Sequence, residues 1–168
     1  MEINDFGSIN MSVPQKWREQ NKHRKECQSS EQFGKKYTFS EEEKLMSCYA
    51  RAYSTLNNIE RNSVTFCALS TADIIQMVYG FSDIGVRTNF ISNSILQHKP
   101  EFLDILEADT LVLLDVFVPQ VLESVAKSSI KNIIITSLAD GSGSNIRKKS
   151  KSSQNNALSE KGTSHCCM

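Results

Sequence analysis

No apolar run in this 168-residue chain approaches the roughly 18 residues needed to span a bilayer, so no membrane span is expected. The amino terminus, MEINDFGSINMSVPQKW, lacks the positive flank and apolar centre of a secretory signal. Net charge is also missing: 19 basic residues balance 19 acids. The balance is uneven, because residues 141–168 hold five of the cations (Arg147, Lys148, Lys149, Lys151, Lys161) and only one acid, Glu160. The remaining body is therefore mildly acidic, which argues against nucleic acid as a partner. The five cysteines lack the spacing of a disulfide framework. Prenylation needs a cysteine fourth from the end, and His165 stands there. These absences lead to the expectation of a soluble, cytoplasmic protein of one domain, with 39% hydrophobic and 23% charged residues.

Recognisable catalytic and binding clusters are equally scarce. His23 with Cys27, and His165 with Cys166 and Cys167, are the close metal-type groups, but zinc wants four ligands in paired sets. No metal site is expected. His98, beside Lys99 and Pro100 in an expected loop, has no positioned partner and reads as a surface residue rather than a general base. Gly141-Ser142-Gly143-Ser144 follows a strand and precedes cations, yet no glycine-lysine-serine ending or apolar helix comes after it. A flexible linker is the expected reading. The run Lys22-His23-Arg24-Lys25 is short enough to be a solvated face rather than an anion patch. Asp115, at the carboxyl end of a strand where open parallel sheets bind ligands, is expected to cap the helix that follows.

What the chain does contain is a regular block from Asn62 to Leu138. Short apolar runs (VTFCAL, TLVLLD, NIIITSL) alternate with segments of helical period, as in strands buried on both faces with crossover helices between them. The reading places strands over Ser63–Leu69, Val86–Ser92, Leu111–Leu114 and Ile133–Thr136. Helices open at Ser70-Thr71-Ala72-Asp73 and near Pro100 and Pro119, and Gly85 is a C-cap glycine. Ile74, Ile75, Val78, Tyr79 and Phe81 are expected to form a core stripe.

Upstream, Gln32–Phe39 reads as a hairpin turning near Gly34, with Tyr37 and Phe39 on one face. Ser40 and Glu43 spell a capping box for a helix with the stripe Leu45, Cys48, Tyr49, Ala52, Tyr53, Leu56, ended by Asn57-Asn58. Residues 1–30 read as a polar, irregular lead-in, residues 31–140 as the folded part and residues 141–168 as a disordered tail too poor in apolar surface to order itself. The expected class is α/β: a mostly parallel sheet with helices on both faces, an N-terminal β-hairpin and a disordered C-terminal tail.

Taken together, Phe33-Gly34-Lys35-Lys36-Tyr37-Thr38-Phe39-Ser40-Glu41, the VTFCAL strand, Ser70-Thr71-Ala72-Asp73-Ile74-Ile75, Ile84-Gly85-Val86 and the segment from Leu106 to Leu138 resemble the amino-terminal part of the AMP-forming acyl-CoA synthetases, the adenylate-forming ligases. The family's hairpin and helix read G-K-x-Y-T-Y-x-E, and a V-A-I-x-L strand comes next. This chain departs at Ser70–Asp73, where N-x-P-E is commoner, and at Thr88–Asn93, which lacks the usual prolines. It also lacks the Ser/Thr/Gly-rich phosphate loop ending Pro-Lys-Gly, the Y-G-x-T-E segment, the ribose-binding aspartate and the lysine of the mobile C-terminal domain. The resemblance implies a parent reaction of carboxylate activation with ATP and Mg²⁺, followed by transfer to CoA. It maps no catalytic, cofactor-binding or metal residue onto this chain. An inactive, truncated piece of such a ligase is therefore expected. Its partners would be the remainder of the ligase or a second copy. The alternatives are an interaction module completing a split ligase and a free-standing flavodoxin-like nucleotide-binding domain.

Overall fold

The computed structural model describes residues 11–56 and 59–137. Asn57-Asn58, the first ten residues and the whole tail with Gly141–Ser144, His165, Cys166 and Cys167 lie outside them.

The stretch expected to be irregular is ordered from Ser12 onward. Ser12 and Gln15 form a reciprocal capping box, and Pro14 occupies the first turn of α1, Val13–Asn21. β1 (Gln28–Gln32) then pairs antiparallel with β2 (Lys35–Thr38). The two-residue turn places both Phe33 (φ 50°) and Gly34 (φ 79°) in the left-handed region, as a type I′ hairpin requires. The hairpin turns where expected but begins four residues earlier.

The next helix, α2 (Phe39–Ser54), corrects the expected cap. Thr38, not Ser40, is the N-cap, and its partner is Glu41, not Glu43. The sequence spells two overlapping boxes, Thr38-x-x-Glu41 and Ser40-x-x-Glu43. The first prevails because Thr38 is still extended, paired with Gln28 at the end of β2. Phe39 is accordingly helical and does not share a strand face with Tyr37. The buried line of α2 is Glu42, Met46, Ala50 and Tyr53, so the expected stripe is rotated. Leu45, Cys48, Tyr49, Ala52 and Leu56 are only half-buried.

A four-stranded parallel sheet follows, in the order β4-β3-β5-β6. Its members are β3 (Ser63–Cys67), β4 (Arg87–Phe90), β5 (Thr110–Leu114) and β6 (Asn132–Thr136). The central pair, β3 and β5, is buried at every position, which accounts for their continuous apolar spelling. Alternation sends Val64, Phe66 and Val112 to one face, where they pack with Tyr53 of α2 and Ile74, Met77 and Phe81 of α3 (Ala72–Asp83). Cys67, Leu111 and Leu113 go to the other face. There they meet Leu96 of α4 (Asn93–His98), Leu103 of α5 (Phe102–Ile105) and Val118, Val121 and Val125 of α6 (Val118–Ala126). Each fully buried side chain of this size contributes about 1.5–3 kcal/mol through removal from water.

Two further expectations are revised. α4 stands where the sequence reads as loop: NSILQH has only Ile95 and Leu96 as apolar residues, too few to show a period, and Ser92 caps it. His98 is thus the last residue of a helix. In α3 the buried residues are Ile74, Gln76, Met77, Gly80 and Phe81, whereas Ile75 is 48% exposed. Among the described residues no helix is long and apolar enough to cross a membrane.

Candidate functional site

The strand order reverses between β3 and β5. From β3 the chain crosses to β4 on one side, and later returns to place β5 on the other. In open α/β sheets the crevice outside the carboxyl ends of two such strands is where ligands bind. Here that crevice is formed by Ala68–Thr71 after β3 and Asp115–Phe117, a single 3-10 turn, after β5.

Two of the amide groups that could receive a phosphate at the start of α3 are already engaged. Thr71 Oγ1 accepts the Ile74 N–H at 3.4 Å, and Gln32 Oε1, reaching from the hairpin, accepts the Ala72 N–H. Asp73 adds a negative charge to the same turn. An anion entering here would have to displace the hairpin contact and meet a carboxylate. The helix end is therefore capped rather than open.

Asp115 does not cap α6, whose N-cap, Phe117, makes no side-chain bond. Its Oδ1 accepts the adjacent Val116 N–H at 2.8 Å, and its Oδ2 accepts the Ser137 hydroxyl at 2.5 Å. The pair ties the end of β5 to the end of β6. Cys67, the last residue of β3, is fully buried, and burial pushes its thiol up to about 11. Such a thiol is a packing group, not a nucleophile.

The other sequence candidates scatter. His98 is exposed at the end of α4, and His23 and Cys27 are exposed beyond α1. Among the described residues no group of three His, Cys, Asp or Glu side chains could hold a metal ion. The basic run lies just beyond α1. Arg24 sits 5.2 Å over the Phe39 ring, while Lys22 and Lys25 border a cavity of about 130 Å³ with Trp17, Asn21 and Glu43. This cavity belongs to the seat of α1, not to the carboxyl end of the sheet. Arg18 holds that seat, donating to Asp83 of α3 at 2.8 Å and approaching Glu43 of α2 at 3.2 Å.

No family model and no curated protein sequence matches the chain. Solved structures do. A benzoate CoA ligase from Burkholderia xenovorans LB400 aligns with a TM-score of 0.61 and 13% identity, over 75% of this chain and 26% of that one. An anthranilate CoA ligase in complex with anthranoyl-AMP gives 0.62 and 18%, over 73% and 25%. An artificially fused adenylation–PCP di-domain from Klebsiella oxytoca gives 0.58 and 17%, over 77% and 23%. The chain has the fold of part of an adenylate-forming ligase. It spans about a quarter of the length of the ligases it matches. At these identities the adenylate-forming likeness is one of fold, and the helix-flanked parallel sheet with its leading hairpin is what carries it.

Proposed function

We propose that this chain is a portion of an AMP-forming acyl-CoA synthetase-like ligase, built around residues 31–140, and that it does not catalyse adenylation by itself. The parent reaction would join a carboxylate to AMP from ATP, releasing pyrophosphate, and then form a thioester with CoA. ATP, Mg²⁺ and CoA would belong to the complete enzyme, in the cytoplasm. The observation that carries this reading is the coverage: three quarters of the matched ligases have no counterpart in this chain. The closed crevice supports it, since the start of α3 offers its amides to Thr71 and Gln32 rather than to a ligand.

A second reading follows from the strand order. Counted from β3, the sheet runs second-first-third-fourth, the order of flavodoxin-like nucleotide-binding domains. One experiment separates the two. A ligand bound to the folded state raises the melting temperature with its concentration. The purified chain is expected to show no saturable shift with ATP, AMP and Mg²⁺. A saturable shift of several degrees would establish a free-standing nucleotide binder and overturn the inactive-portion reading.

A further inference from the structure

The cavity at the seat of α1 combines an aromatic wall with a basic rim. Trp17 of α1 and Phe39, the first residue of α2, are both half-buried, with ring centroids 5.5 Å apart. Arg18, Lys22 and Lys25 line the cavity against one acid, Glu43, and Arg24 sits 5.2 Å over the Phe39 ring. Its volume, about 130 Å³, suits a small anion rather than a nucleoside.

Positive charge is concentrated here. Residues 16–25 hold five cations and one acid, in a body (residues 1–140) of 14 cations and 18 acids. The nearby acids are already taken: Arg18 approaches Glu43 at 3.2 Å, and Lys16 holds Glu19 at 2.9 Å. Among the described residues, Lys22, Arg24 and Lys25 have no acid within ion-pair distance. A cleft lined by one sign of charge concentrates counter-ions. Nor do the lysines close the end of α1. The Trp17 carbonyl accepts the Asn21 side-chain amide at 2.8 Å, and the Asn21 carbonyl accepts the Arg24 N–H at 2.9 Å. The Lys25 and Cys27 carbonyls accept the Ser40 and Phe39 N–H groups at 2.9 and 3.2 Å, fastening this turn to the positive end of α2. The backbone that carries the free lysines is therefore fixed.

We propose that this cavity binds a phosphate dianion, free or as the monoester of a small molecule. Lysine meets phosphate as a point charge, and two ammonium groups balance two negative charges. A carboxylate would leave one of them unbalanced. The Trp17 and Phe39 rings would take the carbon part of an ester. This inference does not depend on the ligase reading, and the start of α3 has no part in it.

Trp17 is the chain's one tryptophan, so its fluorescence reports on the cavity directly. The full chain is titrated with inorganic phosphate, phenyl phosphate and acetate at constant pH and ionic strength. Both phosphates are expected to give a saturable change, and acetate none. Tighter binding of phenyl phosphate assigns the ester, and equal affinity assigns the free ion. Lys22→Gln with Lys25→Gln should weaken binding by about tenfold or more. Lys99→Gln with Lys127→Gln removes the same charge from exposed positions elsewhere and should leave binding unchanged. All four lysines are exposed, and unchanged circular dichroism verifies that each double variant folds. No saturable change with either phosphate, or an equal loss in the two double variants, overturns the proposal. A ligand well below its Kd moves the melting temperature little, so a weak phosphate site leaves the nucleotide test intact. The Lys22 and Lys25 double variant also sorts any nucleotide response, since one that survives it belongs to the carboxyl end of the sheet.

Discussion

Asp109 shows how one buried residue can organise a fold without doing chemistry. It is 1% exposed and sits just before β5. Its carboxylate accepts the Glu60 N–H at 3.0 Å and the Arg61 N–H, fixing the turn that enters β3. Its carbonyl accepts the Lys131 and Asn132 amides at 2.9 and 3.1 Å, and its own N–H donates to the Ser63 carbonyl at 3.1 Å. Three strands therefore start from this residue. Asp109→Ala would remove the carboxylate that the Glu60 and Arg61 amides bond and is expected to cost about 1.5–3 kcal/mol, measured as a lower urea midpoint with unchanged slope. Nothing in the local spelling Leu106-Glu107-Ala108-Asp109 marks this role, because both amides come from residues about fifty positions away. Glu42 is similar: a buried acid on α2, it accepts the Ser29 and Ser30 hydroxyls at 2.6 and 2.5 Å and latches the hairpin to the helix. In a sequence it looks like one of three solvated glutamates.

Elements were legible in proportion to their length and to the clarity of their ends. α3, with Thr71 as cap and Gly85 beyond its end, falls where the sequence places it. α1 falls where the sequence reads as an irregular lead-in: Ser12-Val13-Pro14-Gln15 spells a capping box with proline in the first turn, but the polar body of the helix conceals it. The α2 cap makes a pH prediction. The Thr38 backbone N–H, and then its hydroxyl, hold the Glu41 carboxyl below its ordinary 4.5. A depressed folded value contributes stability that is present above the unfolded pKa and lost as pH falls through the folded one. Stability should thus fall below about pH 4.5, and Glu41→Gln should flatten that acid limb in melting curves taken from pH 6 to 3. The α2–α3 crossing makes another. A Cβ on Gly80 would press into the Met46 carbonyl, 3.1 Å from its carbon, where rigid backbone cannot yield. Gly80→Ala gains roughly 1 kcal/mol of helix propensity. Overpacking costs about 1–3 kcal/mol, so a net loss in melting temperature is expected.

At the scale of the whole molecule, the two cores meet at β3 and β5, and Cys67, in the core on the α4–α6 side, is fully buried with its thiol raised to about 11. It therefore serves as a reporter of global opening. Cys27, exposed on the hairpin side, should react with a thiol reagent at once, whereas Cys67 should react only as urea unfolds the chain, with the same midpoint as circular dichroism. Fast Cys67 labelling without urea would show that the helix layer over β3 opens locally. The sequence by itself determined the class of fold, because continuous apolar runs of strand length between capped amphipathic segments have few other solutions. It also determined where most elements start, because caps and left-handed glycines act over three or four residues. Only the tertiary structure decided that β5, not β4, lies between β3 and β6, which side of α2 is buried, and that Gln32 closes the start of α3. Those outcomes depend on contacts between residues tens of positions apart, and no local spelling records them.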